Sequence, residues 1–412
     1  MAPIERIGKL QDIIMSNEKE TLWIISELFP PEETSTGYIM GEIANAMTKK
    51  YNVKVICGPE FYDVKKKEVS SYLQSIDDSI ELTRVAAVKE NKQSKLSRIK
   101  KFLLMSWQLY KVARKKINKE DRVLMVSNPF PLIVLMGYLR RKRGFDLAML
   151  VHDVFPEGLY TEMNIPLWAY SVTERLFNKA YSSVDTLISI GRDMNDILEM
   201  KCNGQKHQPK IVTIENWGDV EGIKPKERVK DGFIKIQYAG NIGNAQGVGE
   251  FVELLHEAGN KVIHFGIWGT GSAEESIKTR VAELGLEEQV KFYGPYSRNQ
   301  QSEVLNDSDL SLVTLVKGMY GLGVPSKSYN ILAAGKPILY IGEKGTEIWR
   351  TVEDNQIGYC FEPDDRSGIV GLIKSLSDKN ISQLIEMGKK ARMVAEYNYS
   401  KNAILKKFLE VI

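Results

Sequence analysis

Thirteen short apolar runs of strand length recur along the chain, and stretches with helical spacing lie between them. The first seven are Thr21–Leu28, Asn52–Cys57, Ile80–Val85, Arg122–Ser127, Asp146–Val151, Asp185–Ile190 and Lys210–Ile214. Six more follow: Phe233–Ala239, Lys261–Phe265, Val290–Tyr293, Leu310–Leu315, Pro337–Ile341 and Gly358–Phe361. Regular alternation of strand and helix predicts parallel sheets wound on both faces. Between the two runs lies a polar, Gly- and Pro-bearing stretch, Asn216-Trp-Gly-Asp-Val-Glu-Gly-Ile-Lys-Pro-Lys-Glu227, which reads as a linker. The predicted fold class is therefore α/β, with two doubly wound Rossmann-like domains around a central cleft. Its expected divisions are an N-terminal extension at 1–20, a first domain at 21–215, a linker at 216–232, a second domain at 233–396 and a final helix at 397–412. That helix, with Ser400 as N-cap and Ala403, Ile404, Phe408 and Leu409 as its apolar face, is expected to cross back to the first domain.

The stretch Tyr320–Gly342 shows the pattern at its clearest. Pro325 and Ser326 supply a helix start, Ile331 to Ala334 a packed face, and Gly335 a stop. A loop feeding a helix N-terminus beside a parallel strand suits an anion, with Ser326 and Lys327 in the first turn. An ordinary loop–helix–strand crossover has the same pattern, and Lys327 could equally be a solvated lysine.

Composition narrows the class. With 412 residues, 43% hydrophobic and 26% charged, the chain reads as an ordinary soluble protein of more than one domain. No apolar run approaches the ~20 residues needed to span a bilayer. Acids among the apolar positions of the first residues argue against a secretory signal. Ile4, Ile7, Leu10, Ile13 and Ile14 there could form a short amphipathic helix. Cys57, Cys202 and Cys360 stand far apart, as buried thiols of a reducing compartment would. These features point to a cytoplasmic protein.

The net charge of +3 conceals an asymmetry. Lys89 to Arg143 holds sixteen Lys/Arg against three acids, leaving 40 basic and 50 acidic residues elsewhere. Its helical part interleaves Lys100, Lys101, Lys111 and Arg114 with Trp107 and other apolar residues. A basic, aromatic-bearing helix suits an anionic membrane surface, or equally a solvated face. The same composition could serve nucleic acid. Neither domain carries Gly-x-Gly-x-x-Gly after its first strand, and no phosphate-loop Gly-Lys-Ser/Thr occurs, which weakens dehydrogenase and P-loop readings.

Eight short motifs, in order, carry a resemblance. They are Ser26-Glu-Leu-Phe-Pro-Pro-Glu with Ser-Thr-Gly37, Ser127-Asn-Pro129, Val151-His-Asp-Val-Phe-Pro-Glu157 and Ile214-Glu-Asn-Trp217 in the first half. The second half adds Tyr238-Ala-Gly-Asn-Ile-Gly243, Gly266-Ile-Trp-Gly-Thr-Gly271, Phe292-Tyr-Gly-Pro295, and Val324-Pro-Ser-Lys with Ala-Ala-Gly-Lys-Pro337. From Thr21 onward the chain resembles the retaining GT-B glycosyltransferases of family 4, in the branch serving bacterial polysaccharide assembly.

The resemblance implies transfer of a hexose or N-acetylhexosamine from a nucleotide-sugar, UDP foremost, to a lipid-linked or polysaccharide acceptor. It implies no cofactor and no metal, and, because the basic patch falls in the domain that binds acceptors in this family, no nucleic-acid partner. Gly37, Gly240, Asn241, Gly243, Tyr296, Ser326, Lys327 and Asn330 would contact the donor. His152 and Asp153 would serve at the reacting carbon, by positioning and electrostatics. Two departures stand out: the family's paired glutamates fall on Leu322 and Asn330, and its cations near the Gly240 turn on the neutral Asn241 and Gln246. They motivate an alternative, a catalytically silent GT-B-fold subunit that supports a partner transferase. Asp307-Ser-Asp309 spells a metal-binding string of another glycosyltransferase fold, but its place before a strand predicts a structural corner.

Overall fold

The computed structural model describes residues 19–32, 34–61, 74–89, 95–158, 167–226 and 231–412. The amphipathic segment expected at Ile4–Ile14 lies outside them. All thirteen expected strands form, with ends within a few residues of the predicted ones. The first sheet holds β1 (Thr21–Ser26), β2 (Asn52–Cys57), β3 (Glu81–Arg84), β4 (Arg122–Val126), β5 (Asp146–Val151), β6 (Thr186–Ser189) and β7 (Lys210–Thr213). Their order is β3-β2-β1-β4-β5-β6-β7, every pair parallel. The second holds β8 (Ile234–Ala239), β9 (Ile263–Trp268), β10 (Val290–Gly294), β11 (Leu310–Thr314), β12 (Ile338–Ile341) and β13 (Gly358–Phe361). It runs β10-β9-β8-β11-β12-β13, again all parallel. Apolar runs such as Leu22–Ile25 and Leu147–Val151 are buried because helices cover both faces of each sheet.

Each sheet reverses its strand order once, between β1 and β4 in the first domain and between β8 and β11 in the second. At such a switch point the loops leave in opposite directions and open a crevice at the strands' carboxyl ends. The two crevices face each other.

The chain crosses between domains twice, side by side. Gly218 N–H donates to the Tyr399 carbonyl at 2.9 Å, and Gly218 and Ser400 form a parallel bridge. Arg392 fastens the outward crossing, donating to the carbonyls of Val220, Ile223 and Ala333 at 2.5–2.7 Å. On the return, the Ser400 hydroxyl caps the helix Lys401–Val411. Ile404, Phe408 and Ile412 then join the first domain's core, and Lys407 pairs with Glu215 at 2.6 Å. The final helix belongs to the domain in which the chain began.

Asp307 and Asp309 have structural partners. Asp307 caps the helix Gln301–Asn306 and accepts from Lys235 Nζ at 2.9 Å, while Asp309 accepts from the Lys235 N–H at 2.9 Å. Cys57 and Cys202 are buried and Cys360 half-buried, all as free thiols.

Candidate active site

The interdomain cleft contains two adjoining cavities of about 540 and 560 Å³, both lined by Tyr38, Gly240, Asn241, Tyr296, Arg298 and Asn330. On the second-domain side, β8 ends in a turn built around Tyr238 and Gln246. The Tyr238 hydroxyl donates to the Asn241 carbonyl at 2.5 Å. Gln246 Oε1 accepts from Gly243 N–H at 3.0 Å and from Asn241 Nδ2 at 3.4 Å. Gly240 has φ of 154°, a conformation that favours glycine, and a Cβ there would sit 3.5 Å from the Lys327 side chain. Gly243 does not line the cavities; a Cβ on it would meet Gln246 Oε1 at 2.5 Å.

Lys327 opens the helix Lys327–Ala333, with Ser326 at the position before it. That helix is only seven residues long, so the side chain rather than the helix end supplies the local positive charge. The ammonium lies 3.5 Å from the Tyr238 ring centroid and has no hydrogen-bond partner. Burial lowers its pKa to about 7. The residue as a whole is half-buried, but the nitrogen itself is covered. A covered cation without a counter-charge beside a cleft is costly unless a ligand supplies the anion.

Asn330 lines both cavities while its Oδ1 accepts from the Asp219 N–H at 2.9 Å. Tyr296 both lines the cleft and packs edge-on against Trp268, at 6.1 Å and 89°. Arg298 is a cation the sequence reading missed. Its guanidinium stacks 3.8 Å from the Tyr38 ring and so spans the two domains. The only signal in the sequence was its place three residues after Phe292-Tyr-Gly-Pro295.

Across the cleft, the end of β5 presents the turn that carries His152 and Asp153. Ser127 Oγ accepts from the His152 and Asp153 N–H groups at 3.1 and 3.3 Å. Tyr181 and Lys201 hold the rest of the motif, through Phe155 N–H at 3.1 Å and Glu157 at 2.5 Å. Asp153 faces the cavity, and Asn128 Nδ2 donates to its Oδ2 at 2.9 Å. His152 does not line the cavity. Burial lowers its pKa to about 4, so the ring is neutral, with Nδ1 3.5 Å from the Thr36 hydroxyl and Nε2 unpartnered. Gly37 is also set back, and a Cβ on it would meet the Glu32 carbonyl at 2.8 Å. Its smallness serves the tight turn before the helix Ser35–Met47, where Thr34 Oγ1 accepts from Gly37 N–H.

The loop from β11 to Lys327 is held by carboxylates. Glu343 Oε2 accepts from the N–H groups of Gly318, Met319 and Tyr320 at 2.7–2.9 Å. Asp193, buried in the first domain, accepts from Gly321 N–H at 3.1 Å. Leu322 turns away from the cleft into the first domain's core, and its carbonyl accepts from Val154 N–H at 3.0 Å.

The basic helix Lys95–Lys116 divides by face. Lys100, Trp107, Lys111 and Arg114 are exposed, with Lys111 5.6 Å over the Trp107 ring. Lys101 corrects the expectation of a single surface patch. It turns inward to pair with Glu27 at 3.2 Å, with side chains only 14% and 6% exposed, because the helix's inner face needs a cation against that buried carboxylate.

Two facing Rossmann-like domains with a cleft at the carboxyl ends of both sheets define a GT-B glycosyltransferase architecture. The sequence profile described as glycosyl transferases group 1 matches residues 219–400. WbjE of Pseudomonas aeruginosa, described as a glycosyltransferase, is 32% identical over 405 residues, covering 94% of this chain and 96% of that protein. WcaI of Escherichia coli, described as a colanic acid biosynthesis glycosyl transferase, is 25% identical over 243 residues, 56% of this chain and 57% of its own. Among solved structures, Anabaena HepE in complex with UDP superposes with a TM-score of 0.68 at 12% identity, covering 95% of this chain and 98% of that one. Sucrose-phosphate synthase of Thermosynechococcus elongatus gives 0.72 at 12% identity with the same coverage. The chain belongs to the glycosyl transferases group 1 family.

Proposed function

We propose that this protein moves a hexose or N-acetylhexosamine from a UDP-sugar to a lipid-linked or polysaccharide acceptor, with retention of anomeric configuration. One observation carries the reading: Lys327, whose covered ammonium has no hydrogen-bond partner, and Asp153 line the same cavity from opposite domains. The first suits the donor diphosphate and the second the oxocarbenium-like charge and the acceptor. In the step itself, the acceptor oxygen bonds to the anomeric carbon on the face from which the C–O bond to phosphate breaks. The departing UDP takes the electron pair and helps remove the acceptor proton. Asp153, held by Asn128, positions the groups and stabilises charge, and His152 supports the turn behind it. Lys327 and Arg298 meet the phosphate charge, so the reading calls on no metal. That HepE was solved with UDP and that WcaI is described for colanic acid biosynthesis are consistent with this donor and acceptor class.

The exposed face of Lys100, Trp107, Lys111 and Arg114 would rest on an anionic cytoplasmic membrane surface, bringing a lipid-linked acceptor to the cleft. No helix among the described residues is long and apolar enough to cross a membrane. Leu322, turned out of the cleft where the family carries an acid, favours a second reading, a silent subunit supporting a partner transferase. Thermal-shift and sugar-release assays over a UDP-sugar panel, with an acceptor-bearing membrane extract, test the choice. Stabilisation and sugar release with one donor support the transferase; neither with any donor ends it.

A further inference from the structure

One stretch of the second-domain wall of the cleft is apolar, between the polar Thr314 and Ser326. From Leu315 to Pro325 the residues facing the cavity are Leu315, Met319, Gly323, Val324 and Pro325. Ile39 lines the same cavity from the first domain. This section of the wall presents no carboxylate or amide side chain. Part of the loop's backbone is committed too, since the N–H groups of residues 318 to 320 point to Glu343 and that of Gly321 to Asp193. Leu322, the position where the family resemblance puts an acid, is packed in the first domain's core. The antiparallel bridge between Asp153 and Gly323 fixes this wall directly beside the proposed reacting centre.

A fully hydroxylated hexose whose C6 met this wall would set its C6 hydroxyl against side chains that cannot answer it. Burying a hydroxyl without a partner is penalised, whereas a methyl group gains from the same surroundings. Resting on the UDP-sugar reading above, we propose that the donor sugar is a 6-deoxyhexose, its C6 methyl seated against Met319 and Val324. An acetamido group elsewhere on the ring is compatible with this placement.

Calorimetric titration of the full chain tests it. The probes are UDP, UDP-glucose, UDP-galactose, their N-acetylhexosamine analogues, and the 6-deoxy counterpart of each. A site that leaves one hydroxyl unanswered discriminates by tenfold or more. At least one 6-deoxy donor should therefore bind at least tenfold tighter than its parent. Met319→Gln, which offers an amide to the hydroxyl, should narrow that ratio at least threefold. The ratio of two affinities on one variant does not depend on how much of it is folded. UDP binding with parent and 6-deoxy donors equal would overturn the proposal and leave the UDP-sugar reading standing. A ratio unchanged in Met319→Gln would overturn the assigned wall. No binding of UDP or any UDP-sugar would end the donor reading, and this proposal with it.

Discussion

Glu347 of the second domain grips Arg192 of the first at three points. Its carboxylate, 1% exposed, accepts from the backbone N–H, Nε and Nη2 of Arg192 at 2.7, 2.9 and 3.0 Å. The bidentate side-chain contact is the strong geometry for a guanidinium, and the backbone donor lies at the start of the helix Arg192–Cys202. Removing Arg192 leaves a buried carboxylate without its cation, so Arg192→Ala should destabilise the protein by about 2–3 kcal/mol. Denaturant unfolding checks this. A midpoint unchanged from the parent would mean that the pair contributes little to holding the domains together.

Lys327 sets a pH dependence in two directions. Burial holds its pKa near 7, whereas the unfolded chain keeps the group protonated to well above that. Between those values the unfolded state binds more protons, so this residue makes stability rise as pH climbs from 7 towards the ordinary lysine value. Its cost is fully present below pH 7, where Lys327→Met should raise the melting temperature. UDP binding runs the other way, because it needs the charged form. Affinity should fall as pH rises above 7, Lys327→Ala should weaken UDP at least tenfold, and Lys327→Arg should flatten the slope. A pH-independent UDP affinity in the parent would remove Lys327 from the site.

The basic helix offers a contrast between neighbours. Lys101→Ala breaks the covered pair with Glu27 and should lower stability by about 2 kcal/mol with little effect on membrane binding. The combined change of Lys100, Lys111 and Arg114 to Ala should leave stability nearly unchanged. It should reduce flotation with anionic liposomes, each cation contributing ~1 kcal/mol, and flotation of the parent should fade at high salt. Failure of the parent to float at low salt would refute the membrane surface.

The strands and the final helix were legible because burial on both sides demands unbroken aliphatic runs, which few other structures produce. Ser400 announced its cap, and the Gly335 stop follows from its φ of 64°. The cavity's lining was legible only where one motif held its own chemistry, as with Asp153 and Lys327. Arg298 stayed hidden because its role depends on Tyr38, 260 residues away in the chain and 3.8 Å away in space. Lys101 looked like its neighbours because the helix period separates faces, but only the buried Glu27 says which face turns inward. Gly37 and Gly243 carried family motifs, yet their small size serves turns behind the cleft.

Leu322 puts that difference to a test. Counting along the sequence suggests that Leu322→Glu would restore the family's acid and with it a sugar contact. The packing argues otherwise, because the side chain is 8% exposed among first-domain residues and its carbonyl is tied to Val154. An ionised glutamate there would be buried without a cation, and the loss of apolar burial would add to the penalty. The variant should lose about 3 kcal/mol or more of stability at neutral pH and recover part of it on acidification, as the buried carboxyl protonates. Donor affinity should fall, because the loop carrying Met319 and Val324 can no longer dock on the first domain. A stable Leu322→Glu protein with tightened binding of fully hydroxylated donors would show instead that this loop turns over and that position 322 reaches the sugar.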